Sequence, residues 1–156
     1  ASDNIVSTVS DEFQSDDSVK GVYGNIEYFK EDKNEIKRKW DGKEIYDGYF
    51  DDGEIFPHTS FFVRKKVYEE IGYYETDFQI GADYEFILRM VKVHDYKISY
   101  LNKTIVKMRL GGESTKNISS LITSFKEVKR GWELNNLSPP LSFYFKRYYK
   151  KISQLT

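Results

Sequence analysis

The chain contains no cysteine, only three prolines and two histidines, and no long apolar run. Without cysteine, disulfides, thiolate nucleophiles and cysteine-ligated zinc are excluded together. Nothing in the composition requires an oxidising compartment. His58 and His94 alone leave too few nitrogen ligands for a typical structural zinc site. There is no signal-peptide pattern, and no stretch approaches the roughly 18–20 apolar residues of a membrane span. The expected location is the cytoplasm, with the inner face of a membrane as a place of work.

What is present is 156 residues, the length of one domain. A chain of that size buries about 68–70% of its unfolded surface and needs no covalent staples. Formal charge is −1, but it is divided unevenly. Residues 1–56 carry 15 acidic and 7 basic side chains, and residues 57–156 carry 10 and 17. A basic face running throughout is therefore absent, which argues against nucleic acid as a partner and leaves a local basic surface towards the C-terminal end. Aromatics make up 17% of the chain. The first residue is Ala1 rather than an initiator Met, so the chain reads as a processed product or a piece of something longer.

Local patterns predict an alternation of helices and strands, hence an α/β class. Ser2, Asp3 or Asn4 can cap a helix carrying Ile5, Val9 and Phe13 at helical spacing. Gly21–Phe29 reads as a strand, and 30–48 as a charged, exposed hairpin or loop. Tyr49–Phe56 reads as a short linker or edge strand closed by Pro57, and His58–Val63 as a strand entering the core. A helix over Arg64–Ile71 should end at Gly72, where a left-handed cap is wanted. Two further strands are expected at Tyr96–Leu101 and Thr104–Leu110, then a helix over 118–135. Ser138-Pro139-Pro140 breaks the chain before a last amphipathic helix, 141–155. This divides the chain into a portion 1–137 and a basic aromatic helical segment 138–156. On that helix Leu141, Phe145, Tyr148, Ile152 and Leu155 line one face, and Lys146, Arg147, Lys150 and Lys151 the other. Such a helix suits a peripheral membrane contact, and equally a core-packing or homo-oligomer-forming role.

The stretch QIGADYEFILRM, residues 79–90, carries the most chemistry. Tyr84, Ile87, Leu88 and Val91 fall on one helical face, and Glu85 and Arg89 form an i, i+4 pair on another. Asp83 precedes that stripe, after Gly81 and Ala82. As a cap it would satisfy backbone N–H groups and interact with the helix dipole, worth roughly 0.3–1 kcal/mol. As a general base it would accept a hydroxyl proton from a ligand that the small residues let approach. His58, after Pro57, suits contact with a phosphate or hydroxyl, or a plain turn. Gly111, Gly112 and Ser114 follow a strand and suit close approach by an anion or sugar, or a tight turn. Asp16-Asp17 and Asp51-Asp52 are candidate hard-cation loops or solvated acidic loops.

Three segments taken in order, VYGNIEYF, HTSFFVRKKVYEEIGYYETDFQIGADYEFILRM and ISYLNKTIVKMRLGGEST, resemble the second half of bacterial family 2 glycosyltransferases. The resemblance implies the acceptor-side part of a GT-A fold, a Rossmann-related mixed sheet with flanking helices. It implies transfer of a sugar, with inversion, from a nucleotide-sugar donor to a glycan or lipid-linked acceptor in polysaccharide or O-antigen synthesis. It makes Asp83 the catalytic base, places His58 and Thr59 near the acceptor, and sets Gly111, Gly112 and Ser114 over the donor diphosphate. Gly81 and Ala82 would then leave room for the sugar. The family's nucleotide half, with the Asp-x-Asp ligands for a divalent cation (Mg or Mn), would precede residue 1. No metal ligand is assigned within the chain, and little or no transferase activity is expected of the chain alone. The rival expectation is a non-catalytic binding or oligomerisation module in which Asp83 only caps a helix.

Overall fold

The computed structural model describes residues 4–30, 35–110 and 118–153. They form a mixed α/β arrangement in which helices pack against a four-stranded sheet. Helix α1 (Ile5–Ser15) buries Ile5 and Val9 and half-buries Phe13, the positions its spacing predicts. Asn4 stands at its N-cap but makes no side-chain capping bond.

Strand β1 (Val19–Phe29) is the centre of the sheet. Along one edge it pairs in parallel with β4 (Lys97–Arg109). Its other edge is shared by β3 (Phe62–Val63), antiparallel at Gly21 and Val22, and by β2 (Ile36–Trp40), antiparallel from Ile26 to Phe29. A strand flanked on both edges should be apolar on both faces, and Val22, Tyr23 and Ile26 are fully buried. Glycine is needed at position 24: a Cβ there would stand 2.8 Å from the Lys103 carbonyl of β4.

Four expectations change. The two strands foreseen over 96–110 are one, β4, whose register with β1 slips between Gly24 and Ile26. Asn102 and Lys103 fall inside that slip, so two polar residues that read as a break are a bulge within a continuous strand. The strand foreseen over His58–Val63 begins instead as a 3-10 turn, His58–Ser60, and only Phe62 and Val63 pair. The turn is fixed by Ser60 Oγ, 2.6 Å from the carbonyl oxygens of both Pro57 and Gly24. Thirdly, Tyr49–Phe56 is a linker as foreseen, yet it lies inside: Tyr49, Phe50 and Phe56 belong to the main core with Tyr23, Tyr84, Trp132 and Phe143.

The fourth change concerns the last helix, α5 (Leu141–Ser153). Of its foreseen apolar face, Leu141 and Phe145 point outward at 86% and 80% exposed, while Phe143 is fully buried and Arg147 only 8% exposed; Leu155 lies outside the described residues. Lys146 is paired with Asp52, and Lys150 with Glu54. The acidic 51–54 turn thus draws the basic face of α5 inward, and Phe143 packs edge-on against Trp132. Gly53 makes the docking possible. Its φ is +72°, and a Cβ would stand 2.9 Å from the backbone nitrogen of Arg147.

Helix α2 (Lys65–Ile71) ends at Gly72 with φ +86°, as its position suggested. Helix α3 (Ala82–Leu88) continues into one π-helical turn, Arg89–Val93, and lies against α4 (Ile118–Leu134). Arg89 joins these pieces. It is ion-paired with the buried Glu85 at 3.0 Å and donates to the carbonyl oxygens of Ile71 and Tyr73. Among the described residues no helix is long and apolar enough to cross a membrane.

Candidate functional site

The first turn of α3 and the 3-10 turn after Pro57 meet at Asp83 and His58. His58 Nε2 lies 2.9 Å from Asp83 Oδ2, and each side chain is about one-third exposed. The two residues, 25 positions apart in sequence, therefore form a dyad. The helix α3 is seated by its apolar stripe: Tyr84, Ile87 and Leu88 are buried in the main core. Its N-cap is Gly81, and no side chain caps it. Asp83 lies one residue inside the helix, where Oδ1 accepts the Tyr84 N–H at 2.7 Å. Asp83 thus makes the backbone N–H contact expected on the purely structural reading, from inside the first turn rather than from the N-cap position.

The loop that launches α3 is held by a residue that sequence reasoning missed. Glu127 on α4 accepts three backbone N–H groups, from Gln79 at 2.7 Å, Ile80 at 2.8 Å and Gly81 at 2.7 Å. Burial works against ionisation of this carboxyl, but the three N–H bonds outweigh it and hold it below the usual carboxylate range. Gly81 serves this contact: a Cβ there would stand 3.0 Å from Glu127 Cβ. Gly81, expected with Ala82 to leave room for a sugar, makes room for Glu127. No local pattern around residue 127 announces this, because the partners lie in a distant loop.

Arg147 was also missed, since its spacing places it on a solvated helix face. Its guanidinium lies 4.5 Å above the Tyr84 ring. Burial lowers its tendency to hold a proton, while Tyr84 and the charge of Asp83 act the other way. For Asp83 burial is again the largest influence and raises the carboxyl. The hydrogen bond and charge of His58, with the Tyr84 N–H, more than offset it, so the carboxyl sits below its ordinary range. At neutral pH it is an ionised acceptor.

The dyad has a direction. His58 faces Asp83 through Nε2, which leaves Nδ1 as its other ring nitrogen. That atom is buried and has no hydrogen-bond partner among the described residues. The Nδ1 edge of His58 is thus enclosed, while the Asp83 side chain is about one-third exposed. Trp40, at the end of β2, stands edge-on to His58 with ring centroids 5.6 Å apart. A tryptophan inside an otherwise charged hairpin was a signal available in the sequence.

The remaining candidates separate. Thr59 follows His58, and its hydroxyl donates to Met108 Sδ on β4 at 3.0 Å. Gly111, Gly112 and Ser114 lie outside the described residues. Both acidic pairs are engaged by cations of the protein: Asp16 with Lys97, Asp51 with Lys92, and Asp52 with Lys146. Among the described residues no group of three or more His, Cys, Asp or Glu side chains could hold a metal ion.

Compared with known proteins, the chain matches no family model, no curated protein and no solved structure. The class defined by its structure is a mixed α/β domain with a four-stranded sheet.

Proposed function

We propose that the chain is the acceptor-side part of an inverting, GT-A-like glycosyltransferase of family 2. The observation that carries this reading is the Asp83–His58 dyad, whose two residues both lie in the longest of the three segments that carry the resemblance. In the reaction, the acceptor hydroxyl gives its proton to the open side of the Asp83 carboxylate. The hydroxyl oxygen forms a bond to the anomeric carbon as the bond from that carbon to the nucleoside diphosphate breaks, the electron pair leaving with the diphosphate. Attack opposite the leaving group inverts the anomeric configuration. His58 keeps Asp83 oriented and ionised until the proton arrives, and Glu127 fixes the loop from which α3 starts.

The donor is a nucleotide-sugar, and the acceptor a glycan or lipid-linked glycan in polysaccharide or O-antigen synthesis. A divalent cation belongs to the donor side of the proposed reaction. No described residue group suits it, so none of the steps above depends on it. The cytoplasmic face of a membrane is the proposed place of work, and the outward stripe of Leu141, Phe145 and Tyr149 supports a contact there or with a second copy.

The test is transfer by the whole gene product from a panel of uridine, guanosine and thymidine diphosphate sugars to glycan and lipid-linked acceptors, with product stereochemistry read by NMR. Inverted product is expected. Retention of configuration, or no transfer across the panel, would overturn the proposal.

A further inference from the structure

We propose that Trp40 is the surface on which the acceptor sugar ring lies while its hydroxyl meets Asp83; this rests on the glycosyltransferase reading given above. Trp40 is only half-buried, at the end of a strand that pairs along one edge with β1. Its ring contact among the described residues is with His58, the partner of Asp83. The second tryptophan, Trp132, is fully buried and donates its indole N–H to Tyr84 Oη at 2.9 Å. Trp40 is thus the tryptophan available to a ligand, and its ring meets the residue that holds Asp83.

The backbone around it is fixed. Before the indole, Trp40 is in register with Ile26 on β1. After it, the Gly42 N–H is donated to Asn25 Oδ1 at 2.8 Å. Glycine is required there, because a Cβ would stand 2.7 Å from the Tyr100 ring and 2.9 Å from the Tyr23 ring. The backbone that carries the indole is thus fixed on both sides before any ligand arrives, so binding does not have to order it.

The ligand class follows from the chemistry. One face of a pyranose ring presents C–H groups of slight positive character, which match the negative face of an indole, while its hydroxyls project from the rim. A sugar lying on Trp40 would offer a rim hydroxyl towards the neighbouring carboxylate. Such positioning converts an encounter into a defined approach of hydroxyl to base. A neutral sugar suffices, and no anionic group on the ligand is needed. If the indole merely covers His58, a sugar should leave it unmoved.

The experiment titrates the chain with methyl α- and β-hexopyranosides and their disaccharides. Tryptophan fluorescence is followed beside the imidazole NMR signals of His58. A saturable change in fluorescence together with a shift at His58 supports the proposal. Trp40→Ala should then weaken binding about tenfold, the scale of one aromatic contact. Trp40→Phe, which keeps a ring and guards against a folding artefact, should recover most of it. A shift at His58 with fluorescence unchanged, or with Trp40→Ala binding as well as wild type, overturns the role of Trp40 and leaves the glycosyltransferase reading standing. Silence in both signals across the panel counts against both.

Discussion

His58 Nε2 stands 2.9 Å from Asp83 Oδ2, joining the turn after Pro57 to the first turn of α3. The contact keeps a partly buried carboxyl ionised against the effect of burial. His58→Ala should leave burial unopposed by its strongest counterweight and raise the Asp83 pKa. The folded-state value of Asp83 is depressed, so its stabilising contribution is present above the ordinary value of 3.8 and is lost as pH falls below it. In His58→Ala that loss should shrink or reverse. Carboxyl-carbon NMR titration of both proteins checks the direction.

Glu127 makes a second prediction about acid. Its carboxylate takes three N–H groups from the loop before α3. Glu127→Gln keeps one acceptor oxygen but turns an amide N–H₂ towards backbone donors, so about 1–3 kcal/mol of stability should be lost. Because the Glu127 pKa is also depressed, wild type should lose stability as pH falls below the ordinary value of 4.5 and through the depressed one. The Gln variant should lack that part of the decline. Urea unfolding at neutral pH and in mild acid measures both effects.

Two glycines with positive φ give a matched comparison. Gly48 has φ +84° and nothing within 4 Å of where a Cβ would stand, whereas Gly53 has φ +72° and the Arg147 backbone at 2.9 Å. Gly48→Ala should cost about 1–2 kcal/mol from backbone strain alone. Gly53→Ala should cost at least about 2 kcal/mol, because it also lifts α5 from the 51–54 turn. Equal losses in urea unfolding would contradict the docking described for α5.

Trp132 and Tyr84 share a buried hydrogen bond, and burial pushes the Tyr84 phenol up to about 12. Tyr84→Phe strands the indole N–H and should cost about 1–3 kcal/mol, measured by urea unfolding. Trp132→Phe strands the phenol instead. Since the two residues touch, the double variant should lose less than the two single losses together.

The sequence made some of this legible because the relevant forces are local. Ile5 and Val9, the stripe on α3 and the cap at Gly72 follow from helical spacing and backbone conformation alone. His58 and Asp83 were readable as candidates, and family resemblance set them in one site, but their contact depends on how β3 and α3 pack. The inward turn of α5 was not legible. Leu141 and Phe145 make as good an apolar stripe on paper as Phe143 and Arg147 make a mixed one. The choice is set by Asp52, Glu54 and Trp132, which are remote in sequence. Likewise Glu127 shows no sign of its role until the 79–81 loop lies against it. The bulge in β4 was hidden because polar Asn102 and Lys103 read as a turn.

Asp83→Asn is the most direct test of the proposed chemistry. The substitution keeps the shape and the Tyr84 N–H contact but removes the ionised proton acceptor. Measured on the whole gene product with its best donor and acceptor, transfer should fall about 10²–10⁴-fold. Thermal unfolding should shift by no more than a few degrees, the scale of about 1 kcal/mol. An Asp83→Asn enzyme that transfers at the wild-type rate, or that loses rate only as far as it loses fold, would contradict Asp83 as the base.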